Sequence, residues 1–205
     1  VISKDGGKYG QAHFEYSAHK SGGMTISHLR FGPEPINAPY ILEGADYVAC
    51  HQTGYLRRFD TTLLKHLAPH KPGTFVLNSP WDTIEDMEAN LSNNFKRELA
   101  EKHVTLVNVN ATGIAEEAGM KGRINVPLQA VFFKLSEVLP EDQIQTILDK
   151  SIVEDYGKLG PKVIASNQKA AAMAMDRMCE IKYDREKWLA LPADPPRPTV
   201  ADLPD

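Results

Sequence analysis

The strongest constraint on the fold is an alternation of short apolar segments and helical periodicity between residues 46 and 110. Residues 46–50, 74–77 and 104–109 are apolar runs typical of buried strands. The segments between them carry apolar residues at helical spacing, Leu56, Phe59, Leu63, Leu64 and Leu67 in the first and Ile84, Met87, Leu91, Phe95 and Leu99 in the second. Strand–helix–strand units join parallel strands. The pattern therefore predicts an α/β fold with a mainly parallel, Rossmann-like sheet flanked by helices.

The rest of the chain predicts a helical C-terminal part and two N-terminal strands. Glycines and prolines divide the sequence after residue 114 into helices at 116–120, 126–138, 142–156 and 162–179. Asp82, followed by Glu85, predicts a capping box at the start of a single helix that runs to residue 99. Alternating polarity predicts strands at 11–18 and 24–31. The alternation places His28 and Arg30 on one side of the second strand and Ser27 on the other.

The sequence favours one domain over residues 1–190, followed by a linker at 191–205 that holds five of the 14 prolines. The chain opens without Met or a targeting pattern, which suggests a segment of a longer protein. Its two cysteines are far apart, so they indicate neither a disulfide framework nor a metal site and favour a reducing compartment.

Charge and hydropathy exclude several classes of function. The formal net charge of −4 gives no general attraction to nucleic acid or to an anionic membrane surface. The longest apolar runs are far shorter than the roughly 20 residues that a membrane-spanning helix needs. G-x-S-x-G, H-E-x-x-H, G-x-x-x-x-G-K-[ST] and G-x-G-x-x-G are all absent from the sequence. The residues alone thus favour a binding module over a self-sufficient catalyst, with no catalytic residue and no metal ligand assigned.

Two of the candidate binding residues follow predicted parallel strands, where ligands of open α/β sheets bind. His51 follows the first strand and can act as a hydrogen-bonding group or as an acid or base; an ordinary loop histidine is the simpler interpretation. Asn78 follows the second strand and suits either a ligand contact or a turn ahead of Pro80.

The other candidates surround a glycine turn between the two N-terminal strands. Lys20, Ser21, Gly22 and Gly23 combine a cation with backbone amides that can bind phosphate, although a plain turn is the commoner explanation of such a segment. Arg30 can form a bidentate contact with a phosphate or carboxylate.

Several segments in order along the chain resemble the pyruvate:ferredoxin (flavodoxin) oxidoreductase family, in its gamma-subunit-like domain. The segments are GGMTISHLRFGPEPI at 22–36, ADYVACH at 45–51, KPGTFVLNSPW at 71–81, Ala118-Gly119, and RINVPLQAVFF at 123–133. The resemblance covers roughly residues 11–178. It implies a cytoplasmic enzyme, or one of a hydrogenosome or mitochondrion-related organelle in a eukaryote, that acts as a homodimer in anaerobic metabolism.

The resemblance also implies the chemistry of the parent enzyme. Such an enzyme oxidatively decarboxylates pyruvate on thiamine diphosphate with Mg, transfers the acetyl group to coenzyme A, and passes electrons through iron–sulfur clusters to ferredoxin or flavodoxin. The chain lacks the cysteine runs of cluster sites and the Gly-Asp-Gly pattern of thiamine sites, so this domain is expected to bind neither. In the family this domain is linked with coenzyme A and with packing on the thiamine domains.

When the family's coenzyme A contacts are transferred to matching positions, the resemblance implies that coenzyme A is faced by Lys20, Ser21, Gly22, Gly23, Ser27 and Arg30. His51 and Asn78 are added as neighbours of this site. The resemblance further implies that the first βα unit of the family is missing here and that the chain is an N-terminally truncated fragment, inactive in isolation. Two alternatives stay open: a purely structural module between domains, or the equivalent domain of a 2-oxoglutarate, indolepyruvate or NADP-linked pyruvate oxidoreductase.

Overall fold

The computed structural model describes residues 2–16, 25–37, 42–68 and 72–195. Its main sheet has four strands in the order β3 (Tyr47–Cys50), β4 (Thr74–Asn78), β5 (Thr105–Val109) and β6 (Cys179–Glu180). The first three are parallel and the last is antiparallel. The predicted parallel sheet is therefore confirmed, and β6 is an addition that its two residues were too short to signal.

The two N-terminal strands form a separate hairpin. After a short helix α1 (Ile2–Asp5), β1 (Tyr9–Tyr16) pairs antiparallel with β2 (Thr25–Gly32), from Tyr9 opposite Gly32 to Tyr16 opposite Thr25. Both strands lie close to their predicted positions, and the predicted ends at residues 17, 18 and 24 fall outside the described residues.

The predicted helix from Asp82 to residue 99 is wrong in two respects. It forms two helices, α3 (Ile84–Asn90) and α4 (Asn93–Glu101), because the Ser92 hydroxyl caps a new helix by accepting from the Phe95 amide at 3.2 Å. The cap of α3 is Thr83, whose Oγ1 accepts from the Asp86 amide at 3.1 Å. The helix after β3 is α2 (Gly54–Leu63), which continues as a 3-10 turn over Leu64–His66.

The C-terminal helices are α5 (Ala111–Glu117), α6 (Asn125–Ser136), α7 (Glu141–Tyr156) and α8 (Pro161–Arg177). The helical C-terminal part is thus confirmed, with two changes of boundary. The helix predicted at 116–120 begins earlier because the Asn110 Oδ1 accepts from the Gly113 amide at 2.8 Å and caps its start. The last predicted helix ends at Arg177, so Cys179 belongs to a strand. None of the helices in the described ranges combines the length and apolar character needed to cross a bilayer.

Two apolar layers sandwich the sheet. Phe75, Leu77 and Leu106 face a core shared with residues of α2 and α4, whereas Val76 and Val107 face one shared with residues of α5, α6 and α8. This division follows from the alternation of side chains along each strand. The fully buried alanines of α8, Ala170, Ala171 and Ala174, let that helix approach its neighbours closely.

A segment at residues 179–194, here called the clasp, returns across the first layer. It contains β6 and α9 (Arg185–Leu189), and its Trp188 is fully buried. The Trp188 ring stacks on Tyr183 with centroids 4.2 Å apart. Asn94 and Asp194 exchange hydrogen bonds of 2.7 and 3.2 Å between the amide of each and the side chain of the other. The predicted linker at 191–205 thus starts within this packed segment, residues 196–205 lie outside the described ranges, and the domain boundary stays a prediction.

Candidate functional site

The Asn78 side chain links the segments that follow the three parallel strands. These segments form the carboxyl edge of the sheet. Its Nδ2 donates to the His51 carbonyl at 2.9 Å and to the Thr112 Oγ1 at 3.2 Å. The Thr112 amide donates in return to the Asn78 Oδ1 at 3.4 Å. Both protons of the buried amide are therefore used within the protein. This geometry favours Asn78 as a residue that positions the loops.

A second buried polar group lies beside it. The Ser79 hydroxyl donates to the Asn108 Oδ1 at 2.7 Å, and the Asn108 Nδ2 donates to the Ser79 carbonyl at 3.1 Å and to the Asp82 Oδ1 at 2.9 Å. Sequence reasoning singled out the loop that contains Thr112 without assigning that residue a role, and it passed over Asn108. The available signal was a polar residue in the otherwise apolar strand TLVNV, where burial requires a hydrogen-bond partner.

His51 presents an exposed side chain at the carboxyl edge. Desolvation by surrounding atoms lowers the pKa of His51 below 6.5, so its imidazole is neutral at pH 7. The neighbouring Cys50 is buried, and its thiol donates to the Gln52 carbonyl at 3.2 Å. Burial raises the pKa of Cys50 to about 11, which leaves it a protonated, unreactive thiol. Of the two, His51 is the group available to a ligand.

The candidates on the hairpin point in different directions. Ser27 lies opposite Phe14 and is exposed, whereas Arg30 lies on the other face of β2 as the alternation predicted. The Arg30 Nη1 donates to the Gln11 Oε1 across the hairpin at 3.2 Å. Lys20, Ser21, Gly22 and Gly23 lie outside the described residues. One face of β2 therefore cannot present both Ser27 and Arg30 to the same part of a ligand.

The hairpin candidates and the carboxyl-edge candidates occupy different regions of the fold. The hairpin packs through His28, whose ring lies edge-on to His66 with centroids 5.7 Å apart. The carbonyl of His66 accepts from the Ala45 amide at 2.7 Å, just before β3 begins, whereas His51 follows the end of that strand. The structure thus brings His51 and Asn78 together and leaves Ser27 and Arg30 near the opposite end of β3.

A small group of histidines accompanies this contact. The His28 Nε2 lies 3.7 Å from a Glu15 carboxylate oxygen, and the His13 and His28 rings have centroids 6.3 Å apart. Across the described part of the chain, no three His, Cys, Asp or Glu side chains are arranged to hold a metal ion. Within this group, the contact between His28 and His66 joins the hairpin to the rest of the domain.

Curated relatives match nearly the whole chain. A pyruvate dehydrogenase [NADP(+)] of Euglena gracilis is 51% identical over 77% of this chain. A pyruvate:ferredoxin oxidoreductase of Moorella thermoacetica is 41% identical over 89%, and a pyruvate-flavodoxin oxidoreductase of Klebsiella pneumoniae is 39% identical over 96%. The matched region is only 8%, 15% and 16% of those relatives' own lengths. This chain thus spans a small fraction of each of these relatives.

Comparison of folds gives a concordant result. The crystal structure of the pyruvate oxidoreductase subunit PORC of Thermotoga maritima superposes with a TM-score of 0.64 at 21% identity, covering 87% of this chain and 84% of that one. This likeness shows that the fold is shared. The family model described as pyruvate ferredoxin/flavodoxin oxidoreductase matches residues 2–177. The chain therefore belongs to the pyruvate ferredoxin/flavodoxin oxidoreductase family.

Proposed function

We propose that this chain is the gamma-type domain of an oxidoreductase that converts pyruvate and coenzyme A to acetyl-CoA and CO₂ and passes two electrons to ferredoxin or flavodoxin. The family match over residues 2–177 carries the proposal. Identities of 39–41% to enzymes named for ferredoxin or flavodoxin support it. The location proposed is the cytoplasm or a mitochondrion-related organelle, and the parent enzyme is proposed to be a homodimer.

The cofactors of that reaction do not fit the residues of this chain. An iron–sulfur cluster takes four cysteine thiolates, and this sequence has two cysteines, of which Cys50 is buried in the sheet. The sequence also lacks the Gly-Asp-Gly pattern of thiamine sites. Thiamine diphosphate, Mg and the clusters are therefore assigned to other parts of the parent enzyme.

The electron acceptor is a question on which the relatives differ. The 51% identical relative is named as an NADP-linked pyruvate dehydrogenase, as is one of Cryptosporidium parvum at 38%. An NADP-linked parent is therefore the second candidate. Assays of the purified full-length enzyme with pyruvate and coenzyme A, using ferredoxin, flavodoxin or NADP as acceptor, separate the candidates. Turnover with 2-oxoglutarate or indolepyruvate and none with pyruvate would contradict both.

Within that enzyme, we assign to this domain a share in binding coenzyme A. Coenzyme A is long and extended, with phosphates at one end and a thiol at the other, so two separated groups of residues can contact different parts of it. Lys20, the glycine turn and Arg30 supply cations and amides suited to phosphates, and the neutral His51 suits the uncharged pantetheine arm. Asn78 contributes by holding the His51 loop.

Titration of coenzyme A into the full-length enzyme tests this assignment. Because each charge-assisted hydrogen bond contributes about 1.5–3 kcal/mol, Lys20→Ala with Arg30→Ala is expected to weaken binding by at least about tenfold. The matched control, Arg123→Ala with Lys158→Ala, removes the same charge from exposed positions elsewhere and should leave the affinity unchanged. Unchanged affinity in the first variant would contradict the site and favour a purely structural domain.

A further inference from the structure

One face of the β1–β2 hairpin carries an exposed apolar surface. This hairpin face consists of Ala12, Phe14, Tyr16, Thr25, Ser27 and Leu29, which lie opposite one another in the hairpin register. Phe14 is 49% exposed, Tyr16 74% and Leu29 43%. The rings of Phe14 and Tyr16 lie side by side with centroids 6.4 Å apart. The hairpin face carries no charged residue in a chain with 50 charged side chains, 23 basic and 27 acidic.

On the opposite face of the same hairpin, His28 is buried against His66. Phe31 continues the hairpin face toward its base, where it packs against Phe132 with ring centroids 6.0 Å apart. A two-stranded hairpin is marginally stable by itself and gains stability when its apolar face is packed. Here the domain packs on His28 of one face and on the base of the other, and it leaves Phe14 and Tyr16, further along the hairpin, in solvent. Exposed aromatic clusters of this kind mark interaction surfaces.

We propose that the hairpin face docks on an uncharged, apolar surface of another domain in the same oxidoreductase polypeptide. This inference rests on the proposed function, in which the chain is part of a larger enzyme. The curated relatives support it, because the matched region is 8–16% of their lengths and the rest of each polypeptide is available as a neighbour. An uncharged partner surface follows from the uncharged face, since a charge buried against it would have no counter-ion.

The size of the surface favours a linked domain over a second copy of this chain. Phe14, Tyr16 and Leu29 together expose on the order of 300 Å² of side chain, from typical aromatic areas of about 150–250 Å². A stable complex between separate molecules buries about 800 Å² on each partner. A domain in the same polypeptide needs less, because the linker raises its effective concentration to the millimolar range.

Photo-crosslinking in the full-length enzyme tests the proposal. A benzophenone amino acid is placed at Phe14 or at Leu29, and crosslinked peptides are identified by mass spectrometry. Both probes are expected to crosslink to one segment of the same polypeptide outside these 205 residues. Crosslinks to a second copy of this domain, crosslinks only within the 205 residues, or no crosslink would each overturn the proposal.

A probe at His13 is the matched control, because adjacent strand residues face opposite sides and this probe should miss the segment that Phe14 reaches.

A polar variant keeps the test informative if the probe disturbs folding. Phe14→Ser with Tyr16→Ser should speed amide exchange at least about tenfold in the segment that covers the face. Val153→Ser with Leu159→Ser, at similarly exposed positions, should not. Both readouts are independent of coenzyme A affinity, so failure here is distinguishable from failure of the proposed function.

Discussion

Asn108 shows how a single buried residue shapes the candidate site. It sits within an apolar strand with no exposed surface, and its side-chain hydrogen bonds all go to the loop after β4. Because a buried amide without partners is costly, these bonds fix the Ser79–Asp82 turn in one position. That turn starts directly after Asn78, the residue that links the three loops of the carboxyl edge. Asn108 therefore supports the site from within the core.

Replacement of Asn108 by Leu is expected to destabilise the chain by about 2–4 kcal/mol, because the Ser79 groups lose their partners while remaining buried. Urea unfolding of the 205-residue chain measures the effect. Asn90→Ala is the control, since the Asn90 side chain makes a single exposed hydrogen bond to the Asp86 carbonyl and its loss should be small. Equal effects of the two substitutions would show that Asn108 has no special role.

At the scale of elements, the clasp at residues 179–194 completes a layer that the preceding helices leave open. The Tyr183 hydroxyl has a single proton, which it shares between the Val104 carbonyl at 2.7 Å and the Leu99 carbonyl at 3.1 Å, and the Arg185 Nε donates to the Ala100 carbonyl at 2.9 Å. Leu99 and Ala100 lie in the last turn of α4, where carbonyls lack the regular helical partner four residues on, and Val104 directly precedes β5. The clasp therefore both caps α4 and covers the core beside it with Trp188. The family match ends at residue 177, before this segment begins.

Trp188→Ala is expected to cost about 3–5 kcal/mol, because it empties a fully buried site and removes the stack on Tyr183. The measurement is the urea midpoint of the 205-residue chain. Lys187→Ala serves as the control, since that exposed ammonium pairs only with Glu88 at the surface and its loss should barely move the midpoint. A small effect of Trp188→Ala would mean that the clasp contributes little to the stability of the domain.

At the scale of the whole molecule, two histidines couple stability to pH. Burial lowers the pKa of His66, with His28 and Lys102 acting in the same direction and Glu15 opposing them, and desolvation lowers the pKa of His51. Below about pH 6.5 the unfolded chain therefore binds more protons at these positions than the folded chain does. The free energy of unfolding should consequently decrease as the pH falls below about 6.5 and be restored above it.

His66→Gln should reduce this dependence, because the variant lacks the imidazole whose pKa is lowered in the folded chain. Urea midpoints of wild type and variant at pH 5.5 and pH 7.5 give the measurement. His103→Asn, at an exposed position whose positive φ of 52° asparagine tolerates, is the control and should keep the wild-type dependence. An unchanged slope in the His66 variant would assign the effect to other groups.

The parallel sheet, the hairpin and most helices could be predicted from local patterns, because each reflects the periodicity of buried side chains. The errors arose where two local signals competed. Apolar spacing ran unbroken through Leu91 and predicted one helix, whereas the Ser92 cap divides it into two. The clasp could not be predicted because β6 has two residues and α9 has five, too short for a period to appear.

For the site, the sequence by itself determined that polar residues follow each parallel strand, since His51 and Asn78 come directly after apolar runs. Only the tertiary structure decided which of them are free to act. It uses both amide protons of Asn78 within the protein, and it places the hairpin's His28–His66 contact near the start of β3, whereas His51 follows the end of that strand. It also leaves Phe14 and Tyr16 in solvent. Strand order and the partners of each buried polar group depend on contacts between distant parts of the chain, and a local pattern carries no information on them.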